Sequence, residues 1–314
     1  MNEDRIEVEA DEGLMARIAW LYYNDGLTQS ELGEMFNLSR VKVSRLLEAG
    51  RAAGLIQVRI NSRHHGAIEA ERRLQECFAI ADCRVIPDGP GTPVAERLGE
   101  AAAQYLMEKL RPGQLLAVGW GETVSASIRK LGYVAQERGV GVVSLTGGVR
   151  TYVEGMRRAN WDHTVSIIPA PLIVGSPALA AALMAEPSVS ALMDMAIDAD
   201  FKLVGIGAID ERATVVTHGF IPPTDIEPMR RRGAVGDILC RFFDREGAVL
   251  DLPLHDRVVG VNLDRLRGAS RVIGAAGGRS KVPAIRAALR GGIVDILITD
   301  EATALALLAE EEAS

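Results

Sequence analysis

The sequence predicts an α/β protein in which a small N-terminal module of three helices and a strand precedes a larger, mostly parallel α/β domain. Its 314 residues, 48% hydrophobic and 25% charged, are typical of a globular chain long enough for two domains. Residues 14–53 carry apolar side chains at helical spacing, and beyond residue 84 runs rich in Val and Ile alternate with helical stretches rich in Ala and Leu. We therefore predict an acidic tail at 1–12, the small module at 13–65, a linker helix at 66–80 and the α/β domain at 81–314.

Composition excludes several classes of protein. The formal charge of −7 argues against a general polyanion binder, so any nucleic-acid site has to be local. Cys77, Cys83 and Cys240 include no CxxC pair, which indicates neither a disulfide framework nor a zinc site and fits a reducing compartment. The first residues are acidic and no uncharged apolar run of about 18 residues occurs, so we expect a cytoplasmic protein without a signal peptide or a membrane partner.

Charge is distributed unevenly between the N-terminal tail and the small module. Residues 1–12 hold six acidic residues and one basic residue, whereas residues 39–63 hold six basic residues and one acidic residue, a local excess of +5. The basic residues are Arg40, Lys42, Arg45, Arg51, Arg59 and Arg63. Such an excess is typical of a surface that faces phosphate, although a solvated helix face can carry it as well.

Apolar spacing places the elements of this module. It predicts a first helix around residues 14–22, a second from about residue 29, and a third at 40–53 that Ser39 caps at its start and Gly54 at its end. Alternation of apolar and polar residues then predicts a short strand at 55–60.

The twenty residues from Gln29 to Glu48 match the spacing of a helix-turn-helix. The inward positions of that motif fall on Leu32, Phe36, Leu38, Val43 and Leu46. Gly33 is small enough for the second helix to cross closely, and Asn37 tolerates the positive φ that the turn demands. With the strand at 55–60, the module is therefore predicted to be a winged helix-turn-helix.

A helix that starts near Ser39 would present its N-terminal half to the major groove of double-stranded DNA. Hydroxyls and amides at the helix starts can hold phosphates, and arginines can bind guanine in a bidentate manner. The candidate DNA-binding residues are Thr28, Gln29, Ser39, Arg40, Lys42, Val43, Ser44, Arg45, Arg51 and Arg59. The alternative is an ordinary three-helix packing motif whose basic side chains are simply exposed to solvent.

The second domain is predicted from its alternating strands and helices, which favour a parallel sheet with crossover helices. Candidate strands are 84–86, 115–118, 140–145, 165–168, 202–206, 258–261, 271–274 and 296–299. Candidate helices are 67–78, 94–109, 124–131, 178–184 and 282–289. Helix 67–78 lies between the two domains in sequence, so we expect a ligand-induced change to pass through it.

Glycine-rich turns follow four of these strands, at 118–123, 145–148, 204–207 and 275–281. Glycines at the carboxyl ends of parallel strands let backbone amides approach an anion. None of the turns has the spacing of a dinucleotide loop or a P-loop, so no nucleotide cofactor is expected.

Individual side chains near these turns have alternative interpretations. Lys281 follows a double glycine at a helix start, where it suits a phosphate, and Asp237 either binds sugar hydroxyls or is a turn residue before a strand at 238–243. Trp120 either stacks on a sugar or fills the core. Residues 299–301 are interpreted as a helix cap, and the five histidines show no metal-binding spacing.

Three segments together resemble the SorC family of bacterial sugar-responsive transcriptional regulators. They are LTQSELGEMFNLSRVKVSRLLEAGRAAGLIQVRI, GWGETV and GGRSKVPAIRAALRGGIVDILITDEATALALL, and the resemblance spans about residues 14–310. It implies a winged helix-turn-helix joined to an effector-binding and oligomerisation domain similar to ribose-phosphate isomerase and glucosamine-phosphate deaminase. It also implies a homo-oligomer, a tetramer or a dimer, that responds to sugars, sugar phosphates or polyols.

The family's effector-binding residues, carried over by the resemblance, are Gly119, Trp120, Gly121, Thr123, Thr146, Gly147, Gly148, Asp237 and Lys281. Phosphosugar-responsive members tend to have more hydroxyls or a basic residue in the first two loops, where this chain has Trp120, Glu122 and Thr146. A neutral sugar or polyol therefore stays open beside a sugar phosphate.

Two functions follow as hypotheses. The first is a transcriptional regulator, a repressor of a carbohydrate catabolic operon, whose effector shifts the operator affinity of an oligomer. The second is an isomerase or deaminase in which Asp237 or Lys281 performs acid–base chemistry on a sugar phosphate. The sequence shows no convincing nucleophile–base pair for such an enzyme, and an enzyme has no need of the basic module.

Overall fold

The computed structural model describes residues 3–23, 25–52, 56, 65–89, 91–148 and 165–313. They belong to two compact units, residues 1–62 and 63–314. Each unit has its own hydrophobic core.

In its described residues the first unit consists of three helices, α1 (Glu3–Tyr23), α2 (Gln29–Phe36) and α3 (Arg40–Ala52). Their core contains every inward position of the predicted motif: Leu32, Val43 and Leu46 are buried, and Phe36 and Leu38 pack against them. The predicted helix-turn-helix is thus confirmed as the local structure of this unit.

The turn between α2 and α3 has the geometry that the sequence predicts. Asn37 is left-handed, with φ 52° and ψ 45°. A Cβ on Gly33 would lie 2.7 Å from the carbonyl oxygen of Leu38, so only glycine permits the close crossing there. The predicted Gly54 cap and strand at 55–60 lie outside the described residues apart from Ile56, which packs against the core.

The second unit alternates helices and strands. Its elements are α4 (His65–Phe78), β1 (Asp82–Ile86), α5 (Val94–Lys109), β2 (Leu115–Val118), α6 (Glu122–Glu137), β3 (Gly141–Ser144), β4 (Val165–Ser166), α7 (Pro177–Ala185), α8 (Pro187–Asp198), β5 (Phe201–Gly205), β6 (Gly207–Ala208), α9 (Thr214–Thr217), α10 (Ile226–Arg231), β7 (Gly236–Ile238), β8 (Arg241–Phe243), α11 (Leu263–Arg267), β9 (Val272–Ala275), α12 (Val282–Arg290), β10 (Ile296–Asp300) and α13 (Glu301–Glu312).

A seven-stranded parallel sheet runs through this unit in the order β1-β10-β9-β5-β2-β3-β4. The mostly parallel α/β fold predicted from the sequence is confirmed. Strands β9, β5 and β2 are neighbours, so the loops that follow their carboxyl ends meet at one edge of the sheet, where open α/β sheets bind ligands.

Two strand predictions are wrong. Residues 258–261 form only isolated bridges, because Val259 and Val261 donate their amides to Leu172 and Leu145 in loops and not to a neighbouring strand. The single strand predicted at 238–243 is a hairpin: Leu239 and Cys240, with φ 56° and 61°, form the turn between β7 and β8. Asp237 therefore lies within β7 and is not a turn residue.

Helix α4, predicted as a linker, packs into the core of the second unit. Its residues Ala67, Ala70 and Leu74 are buried there, and the helix packs against β1 and α13. The face of α4 that carries these three residues is thus covered within this unit, whereas Ile68 is 54% exposed.

Among the described helices, none is long and apolar enough on its own to cross a membrane. One pair, α7 and α8, passes the same test jointly, but the two helices are bent by 78°.

Candidate functional site

The outward face of α3 carries the candidate DNA-binding residues of the first unit. Arg40, Lys42 and Arg45 are exposed, and Ser44 is half-buried. The Ser39 hydroxyl accepts a hydrogen bond from the Lys42 amide at 3.2 Å, so Ser39 caps the helix as predicted. The basic side chains therefore stand at the start of a capped helix.

Helix α2 begins with a reciprocal capping box. The Thr28 hydroxyl accepts from the Glu31 amide, and the Glu31 carboxylate accepts from the Thr28 amide at 2.7 Å. Thr28, Gln29 and Arg40 line one shallow depression, which Tyr22 and Tyr23 also line. The structure thus brings three predicted residues together and adds two tyrosines that the motif spacing did not indicate.

One predicted DNA contact is wrong. The Val43 side chain is fully buried in the core of the first unit, so it cannot reach a DNA groove. Val41, which the sequence analysis omitted, is 61% exposed on the outward face. Arg51 is exposed at the end of α3, where its Nε donates to the Leu47 carbonyl at 3.4 Å, and Arg59 lies outside the described residues.

A pocket in the second unit opens at the carboxyl ends of β2 and β5. Its lining includes predicted effector-binding residues from three separate segments of the chain: Trp120, Gly121 and Thr123 after β2, Asp237 on β7, and Lys281 before α12. The other lining residues are Ala95, Glu122, Gly205, Ile206, Gly207, Thr214, Val215 and Leu239. The fold thus unites residues that lie far apart in the sequence.

Asp237 is the most buried ionisable group of the pocket, with 5% of its surface exposed. Its Oδ2 accepts a hydrogen bond from the Cys240 amide at 3.2 Å. Burial raises the pKa of Asp237 to about 6, although this hydrogen bond and the charge of Lys281 oppose the shift. Gly207, which pairs with Asp237 from the neighbouring strand β6, leaves room for the carboxylate, because a Cβ there would overlap Oδ1.

Lys281 is half-buried in the pocket lining. Burial lowers its pKa, while the charges of Asp237, Glu122 and Asp210 act in the opposite direction. None of the described hydrogen bonds or ion pairs within 4.0 Å involves its ammonium group, so the geometry leaves this cation available to a ligand. A ligand here meets one amine and two carboxyl groups, those of Glu122 and Asp237.

Trp120 belongs to the core and also borders the pocket. It is only 8% exposed, and its ring packs edge-on against Phe220 at 5.0 Å and His218 at 6.4 Å. It also lines the pocket. Trp120 therefore closes one side of the site and forms part of the core.

Four predicted effector-binding residues do not line this pocket. Thr146 is fully buried and bridges to Gly260, and Gly147 is packed so closely that a Cβ would lie 2.5 Å from the Pro171 carbonyl oxygen. Gly148 lines a separate apolar depression. Gly119 donates its amide to Leu203 at 2.7 Å inside the sheet edge.

Several pocket residues were not predicted from the sequence. Glu122 stands within the first glycine turn and could have been included with it. Thr214, Val215 and Leu239 belong to a short helix and a hairpin turn that carry no recognisable motif. Among the described residues no group of His, Cys, Asp and Glu could hold a metal ion.

Comparison with known proteins places this chain in one family. The Sugar-bind family model, described as "Putative sugar-binding domain", matches residues 62–309. The transcriptional regulator LsrR of Klebsiella pneumoniae is 44% identical over 321 residues, which cover 98% of this chain and 99% of that protein. LsrR of an Enterobacter species is 45% identical over 302 residues, covering 95% of this chain and 94% of that protein.

Among solved structures, the full-length sorbitol operon regulator SorC from Klebsiella pneumoniae is similar with a TM-score of 0.70. Its identity is 25%, and the match covers 95% of this chain and 99% of that chain. These relatives are regulators, which supports a sugar-responsive transcriptional regulator over an isomerase or deaminase. The chain belongs to the SorC family of sugar-binding transcriptional regulators.

Proposed function

We propose that this regulator represses a carbohydrate catabolic operon by binding operator DNA through the outward face of α3. The exposed Arg40, Lys42 and Arg45 at a capped helix start support this role. Arg40 also lines the depression that contains Thr28 and Gln29, which suits a phosphate beside the first bases. Val41 supplies an apolar contact for a thymine methyl group in place of Val43.

The effector is a sugar phosphate bound in the pocket at the carboxyl ends of β2 and β5. The observation that carries this proposal is the half-buried Lys281 ammonium, which has no ion pair among the described residues. The N-terminus of α6 lines the same pocket with Gly121, Glu122 and Thr123, and the first amides of a helix add positive potential. Together they suit a phosphate group.

Asp237 suits the hydroxyl groups of the same ligand. Sugar hydroxyls can both donate and accept, and a buried carboxyl whose pKa lies near neutrality provides either partner. The ring of Trp120 borders the pocket and suits the apolar face of a sugar.

A free polyol or sugar is the second candidate. Glu122 lines the pocket in the first turn of α6, where its carboxylate opposes the phosphate of a ligand. In that case Lys281 donates hydrogen bonds to hydroxyl groups of the ligand, and its positive charge is balanced by the carboxylates of Glu122, Asp237 and Asp210.

Self-association completes the proposal. Helix α7, PALAAALMA, carries no charged or hydrogen-bonding side chain, yet only Ala180 in it is buried. A helix that is apolar on all sides is normally covered by protein. We infer that a second copy of the chain covers α7, in a dimer or a tetramer.

Thermal unfolding of the full chain tests the effector class. The compounds are ribose 5-phosphate, ribose, sorbitol 6-phosphate, sorbitol and inorganic phosphate, because a ligand that binds the native state raises Tm. We expect a sugar phosphate to raise Tm in the wild type and in Lys130→Gln, a control at an exposed lysine paired with Glu100. Lys281→Gln should lose the response.

The other outcomes distinguish the remaining ligand classes. A rise in Tm with free sorbitol or ribose alone supports the polyol or free sugar, and a rise with inorganic phosphate alone indicates a simple anion site. If Lys281→Gln retains the full response to the sugar phosphate, the pocket described above is not its binding site.

A further inference from the structure

The loop that presents Lys281 is fastened to the start of the last helix. The Gly278 amide donates to the Thr303 hydroxyl oxygen at 2.7 Å and to Asp300 Oδ2 at 3.2 Å. The Lys281 amide in turn donates to the Gly278 carbonyl at 2.9 Å. The position of Lys281 therefore depends on two side chains that do not line the pocket.

Asp300 and Thr303 form a closed hydrogen-bonded pair. Asp300 Oδ1 accepts from the Thr303 amide at 3.0 Å, and Oδ2 accepts from the Thr303 hydroxyl at 2.7 Å. Both side chains are buried, at 4% and 0% exposed. A Cβ on Gly277 would overlap Asp300 Oδ2, so the loop lies directly against the carboxylate. We call this pair the α13 clamp, because it caps α13 and also binds the Gly278 amide.

The same helix contacts α4 near both of its ends. At the start of α13, the Glu301 carboxylate lies against the backbone of Gly66, because a Cβ there would overlap Oε1. At the end of α13, Glu312 forms an ion pair with Arg73. Between them, Ala304, Leu307 and Leu308 join the core that also buries Ala67 and Leu74. Helix α13 thus joins the Lys281 loop to the first helix of the second unit.

We propose that Asp300 and Thr303 are positioning residues for Lys281 and that α13 links the occupancy of the effector pocket to α4. This inference rests on the proposed contact between Lys281 and the effector. A ligand that draws Lys281 into the pocket displaces Gly278 against the clamp, and the clamp is the first turn of α13. Helix α4 follows the DNA-binding unit along the chain, so it is the element where such a displacement can alter DNA binding.

The substitution Asp300→Asn should remove the hydrogen bonds of the clamp and keep the cap at the start of α13. Asparagine is as good an N-cap as aspartate, and its Oδ1 still accepts from the Thr303 amide. Its NH₂ group cannot accept from the Gly278 amide or the Thr303 hydroxyl. Thr303→Val removes the other acceptor with little change of shape, and Thr303→Ser restores the hydroxyl. The control is Asn262→Ala, which removes a side-chain cap from α11.

Two readouts on the full chain need no ligand. The first is the rate at which acetic anhydride labels the Lys281 amine, measured by mass spectrometry. The second is hydrogen exchange at residues 276–283 and 65–78. Losing one hydrogen bond to the loop should raise the Lys281 labelling rate about fivefold in Asp300→Asn and Thr303→Val. The rate of hydrogen exchange should rise at both 276–283 and 65–78 in these two variants. Thr303→Ser should match the wild type in both readouts.

The inference is overturned if Lys281 labelling is unchanged in both variants, if exchange at 65–78 does not rise with that at 276–283, or if Asn262→Ala produces the same changes. Since neither readout needs a ligand, a sugar panel without any response would contradict the proposed function and leave this result interpretable.

Discussion

At the scale of single residues, Asp237 makes the stability of the second unit depend on pH. Burial raises its pKa from the usual 3.8 to about 6, so the native state holds this proton more tightly than the unfolded chain does. The contribution to the unfolding free energy is therefore fully present below pH 3.8 and is lost as pH rises through about 6.

Asp237→Asn should remove this dependence, because asparagine still accepts from the Cys240 amide but does not ionise. We expect the variant to be more stable than the wild type by up to about 3 kcal/mol above pH 7 and nearly equal to it near pH 4. Urea unfolding at both pH values measures the difference, with Asp88→Asn at an exposed site as the control. An unchanged pH dependence would contradict the buried carboxylate.

Two valines on α3 have opposite environments and therefore opposite expected effects. Val43 is fully buried, so Val43→Ala should destabilise the first unit by about 1–3 kcal/mol. Val41 is 61% exposed, so Val41→Ala should change stability by less than about 0.5 kcal/mol and still weaken operator binding. Hydrogen exchange in 29–52 and DNA anisotropy measure the two effects. Equal destabilisation by both variants would refute the assigned orientation of α3.

The sequence predicted some of the pocket residues. Gly121 and Lys281 belong to glycine-rich turns that follow strands, and that local pattern is visible in the sequence. Thr146 and Gly147 share the pattern, but their loop is packed against residues 170–171, which only the tertiary fold determines. Val43 was predicted both to face the core and to contact DNA, and a residue on this helix cannot do both. The helical spacing correctly predicted the inward position.

At the scale of elements, α7 is the feature that local sequence alone explains least. Its nine residues are apolar, yet the helix stands on the surface of the unit, with Leu179 48% exposed. Leu305 on α13 is exposed to a similar degree, 52%, but lies one turn from the charged Glu301. The two leucines form a matched pair for testing self-association.

Leu179→Glu should lower the mass of the full chain in sedimentation equilibrium, because a charge on the proposed interface has no partner there. Leu305→Glu should keep the wild-type mass. An unchanged mass in Leu179→Glu would place the interface elsewhere.

Elements with strong periodicity were predicted well, and those defined by long-range pairing were not. The helix at 94–109 and the strand at 115–118 are confirmed residue for residue. The β7–β8 hairpin was missed because its turn consists of Leu239 and Cys240, which seldom adopt positive φ. Helix α4 was interpreted as a linker because α13, which packs against it, lies at the other end of the chain.

At the scale of the whole molecule, one chain carries both a helix-turn-helix with exposed basic residues on α3 and a ligand pocket. A ligand changes DNA affinity only if it binds two states of the protein with different affinity, so stabilisation by a sugar phosphate does not by itself demonstrate regulation. The link between pocket and DNA has to be measured directly.

The most direct test is the anisotropy of the full chain on its own upstream DNA, across a salt series, with and without ribose 5-phosphate or sorbitol 6-phosphate. We expect specific binding that weakens steeply with salt, and a change in operator affinity of at least about fivefold with the sugar phosphate that raises Tm. Lys281→Gln should bind the same DNA without responding. Operator affinity that stays constant with every compound that raises Tm would contradict regulation of DNA binding by the pocket.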